Sequence, residues 1–410
     1  MKRSRQRTSQ RETLLILLAS AVAACSDAPS SEDSPNVPAF QGVLPAEPSS
    51  LVEDMAVDPG EGGGEVAPVE TPGGAGDEGG VGGDITLQPS TDPEGMQPTT
   101  VEPTAMDPEA MEPEVPVITG PPPKFVGNIT TGNSVDTNGL TYSDYWDQIT
   151  PENAGKWGSV QREAGAAFNW GALDAIYDYT EQSGILFKQH TFVWGSQQPT
   201  GALTEADVRT WMREFCTRYP RTRLIDVVNE PPPHTEPSYA NAIGGGTNGD
   251  WQWIANAFTW ARESCPNATL ILNDYNNIEI GNQNQHFIDI VRAIQARGAP
   301  VDAVGAQAHG LSGANSPANM IALLTKLHDD TGLPVYITEY DINQNDDATQ
   351  LNRFQQQFSF FLETEWIHGV TVWGWIFGRT WVASSGLIRD GAPRPAMIWL
   401  MDELGRPVPQ

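Results

Sequence analysis

Positive charge is missing from a long stretch of this chain. Between Ser26 and Pro123 there is no lysine and no arginine, against 20 Asp and Glu, so this stretch carries most of the formal charge of −29. Tryptophan is missing there too: all 13 fall between Trp146 and Trp399. Gly runs alternate with Pro-Glu and Asp-Pro pairs. Such a segment cannot bury enough apolar surface to offset its backbone entropy. Residues 25–123 are therefore expected to form a disordered, acidic linker. Charge repulsion and proline should extend it beyond the roughly 50 Å reach of a neutral flexible coil of that length. The acidic balance leaves no basic face, so nucleic acid is not an expected partner. Cysteine is scarce, with three in 410 residues and none in a paired spacing, so no metal site is expected. Phosphate-binding glycine motifs are lacking as well. No Gly-x-Gly-x-x-Gly follows the first strand, and Gly244-Gly245-Gly246 has no Gly-Lys-Ser/Thr after it, which makes it a loop before a helix.

What is present begins with a targeting pattern. Lys2, Arg3, Arg5, Arg7 and Arg11 precede the apolar stretch from Leu14 to Ala24, which is too short to span a bilayer. Residues 1–24 read as a signal peptide. Its end, Val22-Ala23-Ala24-Cys25, resembles a bacterial lipobox and implies lipidation of Cys25; an ordinary signal peptide with a chance cysteine is the alternative. Acyl chains contribute about 0.8 kcal/mol per buried CH₂. The expected location is thus secreted and lipid-anchored to the cell envelope, at its outer surface or periplasmic face, with the linker as a stalk. Cys216 and Cys265 remain, an even count for an oxidising compartment. A disulfide between them and two buried thiols are both open.

Residues 124–410 are long enough for one large core, expected to act as a monomer. Short β-branched runs alternate there with amphipathic stretches. The strand candidates are residues 125–129, 148–150, 186–193, 224–228, 270–273, 303–307, 335–338 and 369–373. Helical patterns occupy 170–182, 205–218, 251–262, 283–296, 316–330 and 349–366. Eight strands with intervening helices predict an α/β fold, a (β/α)8 TIM barrel, rather than an open doubly wound sheet.

Polar residues gather at the C-terminal ends of these strands, where parallel barrels place their chemistry. In chain order they are Glu152, Asn153 and Lys156; His190, Trp194 and Gln197; Asn229 and Glu230; Asn273 to Asn276; Gln307 and His309; Glu339 and Asp341; Trp373 and Trp381. A lone strand-end histidine is usually a satisfied core residue. A hydrogen-bonding side chain at the same end of every strand from the second to the seventh is not chance placement. Amides, imidazoles and an ammonium suit hydroxyls, and tryptophan suits the C–H face of a sugar ring. Glu230 and Glu339, each at the end of its own apolar run, supply the two carboxyl groups that cleave a glycosidic bond with retention.

The runs Gln148-Ile149-Thr150-Pro151-Glu152-Asn153, His190-Thr191-Phe192-Val193-Trp194-Gly195-Ser196-Gln197, Asp226-Val227-Val228-Asn229-Glu230 and Ile337-Thr338-Glu339-Tyr340-Asp341-Ile342 carry a family resemblance. Asn273-Asp274-Tyr275-Asn276 and Gln307-Ala308-His309 add to it. Together they resemble glycoside hydrolase family 10, the endo-β-1,4-xylanases, over essentially the whole domain. The resemblance implies hydrolysis of xylan or xylo-oligosaccharides by a retaining double displacement, with no cofactor. It implies Glu339 as nucleophile, steadied by His309 and Asp341, and Glu230 as acid and then base. It assigns Asn229 to the sugar 2-hydroxyl, with Gln307 supporting that region. It assigns Glu152, Asn153, Lys156, His190, Trp194 and Gln197 to sugars on the non-reducing side, and Trp373 and Trp381 to the cleft wall. Two departures bear on substrate preference. Gly195 stands where the family usually has His, and Gly374 to Thr380 replaces the usual Gly-Val-Thr-Asp run. A β-glucanase or cellulase on a related barrel and a non-catalytic carbohydrate-binding surface protein are the alternatives.

Overall fold

The computed structural model describes residues 121–130, 135–246, 249–313 and 316–410. The expected signal peptide, Cys25 and the linker before Pro121 lie outside the described residues. Eight parallel strands close into a barrel in chain order. They are β1 Phe125–Ile129, β2 Gln148–Thr150, β3 Leu186–Val193, β4 Leu224–Asn229, β5 Thr269–Asp274, β6 Ala303–Ala306, β7 Val335–Tyr340 and β8 Ile367–Val372. Closure is made by β8 against β1, from Phe125 opposite Gly369 to Asn128 opposite Val372. β4 and β7 are buried along their whole length, which is why they read as runs rich in β-branched residues without alternation.

Three of the helices between them start where a polar side chain satisfies free amides of the first turn. Thr204 and Asp207 form a reciprocal capping box for Glu205–Arg218. Ser316 accepts from the Asn319 amide ahead of Pro317–Thr331, and Asp346 from Thr349 ahead of Asp347–Glu363. Because Asp346 is the cap, that helix starts two residues before its expected position and ends at Glu363, short of Trp366. Gly171–Ser183 and Pro317–Thr331 stop at Gly184 and Gly332, both left-handed, the conformation glycine takes without strain. Gln252–Ser264 and Gly281–Ala296 complete the ring. Outside the sequence expectation lie the short helix Trp157–Val160, the paired strands Ile388–Arg389 and Ala392–Pro393, the helix Pro395–Leu404, which packs on Asp347–Glu363, and single 3-10 turns such as Tyr142–Asp144.

The barrel interior is graded. Phe125, Leu224, Ile271, Ala303 and Tyr336 form an apolar plug near the starts of their strands. Gly369 belongs to that layer, because a Cβ there would lie 2.4 Å from the Phe125 ring. Further along, the interior turns polar: Thr371 donates to Gln148, and Lys188 is fully buried against Asp226. Cys216 and Cys265 are joined in a disulfide with their Cα atoms 5.4 Å apart, which excludes two free thiols. It ties the end of Glu205–Arg218 to the C-cap of Gln252–Ser264.

Candidate active site

β7 runs two residues further than its sequence pattern predicts, because Tyr340 pairs with Val372 of β8. Glu339 therefore sits inside a strand and is fixed by it. Its carboxylate accepts from the Asn273 amide at 2.8 Å on one oxygen and meets His309 Nε2 at 3.3 Å on the other. His309 Nδ1 lies 2.8 Å from Asp341 Oδ2, which also accepts from the Trp381 indole at 2.8 Å. Burial alone would favour the neutral carboxyl. His190, His309 and Lys188 outweigh it and draw Glu339 down to about 2. His309 responds in the opposite sense: burial disfavours its charge, but Asp341 and Glu339 raise it to about 10. A charged imidazolium between two carboxylates is the result.

Beneath this pair runs a line of buried charge from β3 and β4. Lys188 Nζ is 2.5 Å from Asp226 Oδ2, and the same oxygen is 2.9 Å from His190 Nδ1. His190 lies 4.0 Å from Glu339 Oε1 and edge-on to Trp373.

Glu230 lies just past β4 with a left-handed backbone (φ 51°), its amide bonded to the Asn273 carbonyl. Its carboxyl group is surrounded by donors. Oε2 accepts from the Trp194 indole at 2.9 Å and the Thr235 hydroxyl at 3.3 Å; Oε1 accepts from Gln307 at 3.0 Å and Asn229 at 3.2 Å. Asn273 links the two carboxyl groups, since its amide donates both to Glu339 and to Asn229 Oδ1, and Thr338 fixes its carbonyl at 2.6 Å.

These groups line a cleft of about 550 Å³ at the C-terminal end of the barrel. Glu152, Asn153, Lys156, His190, Trp194, Gln197, Asn229, Glu230, Gln307, His309, Glu339, Trp373 and Trp381 all line it, while Asp341 and Asn273 do not line it and meet it through His309 and Glu339. Lys156 reaches Asn153 at 3.1 Å and lies 4.8 Å above the Trp194 ring. Its burial lowers its pKa, against the pull of Glu339, Glu152 and Glu230. Glu152 is raised, first by burial and further by Glu339, with Lys156 opposing. Trp381 remains over half exposed (56%) while it covers His309 at 4.6 Å.

The sequence reading gave Tyr275 no role, yet Tyr275 lines the cleft and stacks at 3.7 Å on His234. His234 in turn is 2.7 Å from Asp274, whose carboxyl burial pushes up to about 7 against the pull of His234. The available signal was the strand-end run Asn273-Asp274-Tyr275-Asn276. Asp226 opens the run that ends in Glu230, whereas Lys188 and His234 carry no signal that separates them from surface charges.

The glycosyl hydrolase family 10 model matches residues 124–402. The chain is 44% identical over 287 residues to endo-1,4-β-xylanase B of Cellvibrio japonicus (strain Ueda107), a region covering 68% of this chain and 45% of that protein. It is 28% identical over 286 residues to endo-1,4-β-xylanase C of Phanerodontia chrysosporium, covering 64% and 71%. The chain thus spans less than half the length of the Cellvibrio protein. Among solved structures, GH10 from Paenibacillus barcinonensis superimposes with a TM-score of 0.62 at 22% identity, covering 70% of this chain and 96% of the other. Xylanase 10B from Thermotoga petrophila RKU-1, in complex with xylobiose, gives 0.60 at 22%, covering 69% and 94%. At that identity the structures speak for the fold, and the family match speaks for descent: this chain belongs to glycosyl hydrolase family 10.

Proposed function

We propose that the protein hydrolyses internal β-1,4-xylosidic bonds of xylan with retention of anomeric configuration. The observation that carries this reading is the contrast between the two carboxyl groups. Glu339 is locked in a strand and held ionised by His309 and its neighbours, as a nucleophile requires. Glu230 sits at the cleft wall among hydrogen-bonding side chains, as a group that must give up and regain a proton requires.

Glu339 attacks the anomeric carbon while Glu230 protonates the departing oxygen. The C–O bond breaks and a glycosyl ester forms on Glu339. Glu230, now a carboxylate, takes a proton from water, which attacks the same carbon from the face the leaving group vacated and frees Glu339. Asn229 presents its amide to the 2-hydroxyl of the reacting sugar, a contact that strengthens as charge develops, and Gln307 braces it at 3.2 Å. Glu152, Asn153, Lys156, His190, Trp194 and Gln197 hold the sugars on the non-reducing side. Trp373 and Trp381 wall that end. Xylan is favoured over cellulose by the two relatives, both named endo-1,4-β-xylanases. A reducing-sugar assay on xylan and carboxymethylcellulose decides between them. Release from xylan alone is expected; faster release from carboxymethylcellulose makes this a β-glucanase, and release from neither makes it a binding protein.

We also infer a division of labour along the chain. Residues 1–24 direct export, lipid on Cys25 anchors the protein to the envelope, and residues 25–123 act as a stalk for a monomeric barrel. The support is the charge and apolar pattern before Cys25 and the one-sided composition after it.

A further inference from the structure

Gly195 stands one residue after Trp194, and nothing in the chemistry above uses it. The space its side chain would fill is taken by the loop that follows Glu230. A Cβ on Gly195 would lie 2.5 Å from Thr235 Cγ2 and 2.7 Å from the Glu236 carbonyl carbon and oxygen. Such separations are not tolerated, so any larger residue at 195 must displace that loop. Thr235 is bound there at both ends. Its amide donates to the Glu230 carbonyl at 3.1 Å, and its hydroxyl reaches Glu230 Oε2 at 3.3 Å.

We propose that Thr235 is a positioning residue for the acid/base Glu230, and that the absence of a side chain at Gly195 is what admits it. This rests on the reading of Glu230 as the acid/base. The other three side chains on the Glu230 carboxyl group are the Trp194 indole and the Gln307 and Asn229 amides, and each meets it through an N–H that only donates. A hydroxyl both donates and accepts. The acid/base must pass from carboxyl to carboxylate and back in every turnover, and Thr235 is the partner that can follow it, accepting from the carboxyl and donating to the carboxylate. The second bond is the stronger, because a charged acceptor strengthens a hydrogen bond. Thr235 thus keeps Oε2 paired in both states and favours the base form needed for the second step.

The charged and titratable groups facing Glu230 are Lys156, His234, Asp274 and Tyr275, with Glu339 beyond Asn273. Thr235→Val removes none of these groups and leaves position 195 unchanged, so a shifted pH limit in that variant reads the lost hydroxyl. The experiment is the pH profile of kcat/KM on an aryl xylobioside, with melting temperatures in parallel. Thr235→Val keeps the shape and removes the hydroxyl, so the alkaline limb is expected to move up by ~0.5–1 pH unit. Thr235→Ser retains the hydroxyl and should return the limb toward its wild-type position. Gly195→Ala is expected to lower kcat/KM at least tenfold. Gly195→Ala with Thr235→Ser should recover part of that loss, because serine lacks the clashing methyl.

A Thr235→Val limb within 0.2 unit of wild type, or purely additive effects of Gly195→Ala and Thr235→Ser, overturns the role of Thr235 alone. If Thr235→Val does not fold, Thr235→Ala reads the same limb. A wild-type alkaline limb that persists in Glu230→Gln overturns the acid/base reading and this proposal with it.

Discussion

At the scale of single residues, the chemistry depends on how a buried carboxylate is kept charged. Burial opposes ionisation of Glu339, and His190, His309 and Lys188 reverse the balance, leaving it at about 2. Replacing Glu339 by Ala should abolish turnover. Azide should then restore release of the aryl group from an aryl xylobioside and give a glycosyl azide of inverted configuration; a retained azide would exclude Glu339 as nucleophile. His309→Asn removes one of these charges together with its contact to the carboxylate. The acid limb of kcat/KM is expected to rise by ~1 pH unit, and an unmoved limb would contradict the electrostatic reading. Stability follows the same groups with opposite signs. Glu339 lies below its ordinary 4.5, so its contribution is present above 4.5 and is lost as pH falls toward about 2. His309 lies above its ordinary 6.5, so its contribution is complete below 6.5 and is lost as pH rises through about 10. Urea unfolding of wild type and His309→Asn should therefore show a stability gap that narrows as pH climbs toward about 10. A gap that widens there would reverse the sign.

At the scale of elements, the disulfide is the cross-link with the clearest consequence. It closes 49 residues between two neighbouring helices. By the chain-entropy argument a loop of that size contributes about 2–4 kcal/mol through the unfolded state. Cys216→Ala with Cys265→Ala should lower the melting temperature by several degrees and leave kcat on soluble xylan unchanged; calorimetry and a rate assay check both. A loss of kcat would show that the bond shapes the cleft. The strands are legible because a run buried on both faces is rich in β-branched residues without alternation, as in Leu224–Asn229 and Val335–Tyr340. Their ends were less so. Tyr340 belongs to β7 only because Val372 lies opposite, a fact about pairing that local sequence does not carry. Pro395–Leu404 went unread because its Met-Ile-Trp-Leu-Met centre has no polar alternation, and the helix packs on an element distant in the chain. In the site, residues at strand ends announced themselves by position. Lys188 and Asp226 did not, since a charge in mid-strand becomes interpretable only once closure pairs the two inside the barrel. Gly195 was visible as a departure, but its meaning depends on Thr235, forty residues away in the chain, entering the vacated space.

At the scale of the whole molecule, the proposal gives reach to the acidic stretch and chemistry to the barrel. The stretch from Ser26 to Pro123 has no tryptophan and one sign of charge, so it has little to offer a core. A protein beginning at Lys124 should fold with an unchanged melting temperature and hydrolyse soluble xylan at the full rate. Cys25→Ser should free the intact chain from the membrane fraction without altering that rate. Failure of the shortened protein to fold, or retention of the Cys25→Ser protein in membranes, would overturn the division. If Glu230 and Glu339 together cut xylan internally with retention, proton NMR of the first products from xylohexaose will show it. Oligosaccharides of intermediate length whose new reducing ends appear first as the β-anomer and only later equilibrate are the expected result. First appearance of the α-anomer, or release of xylose alone, would contradict it.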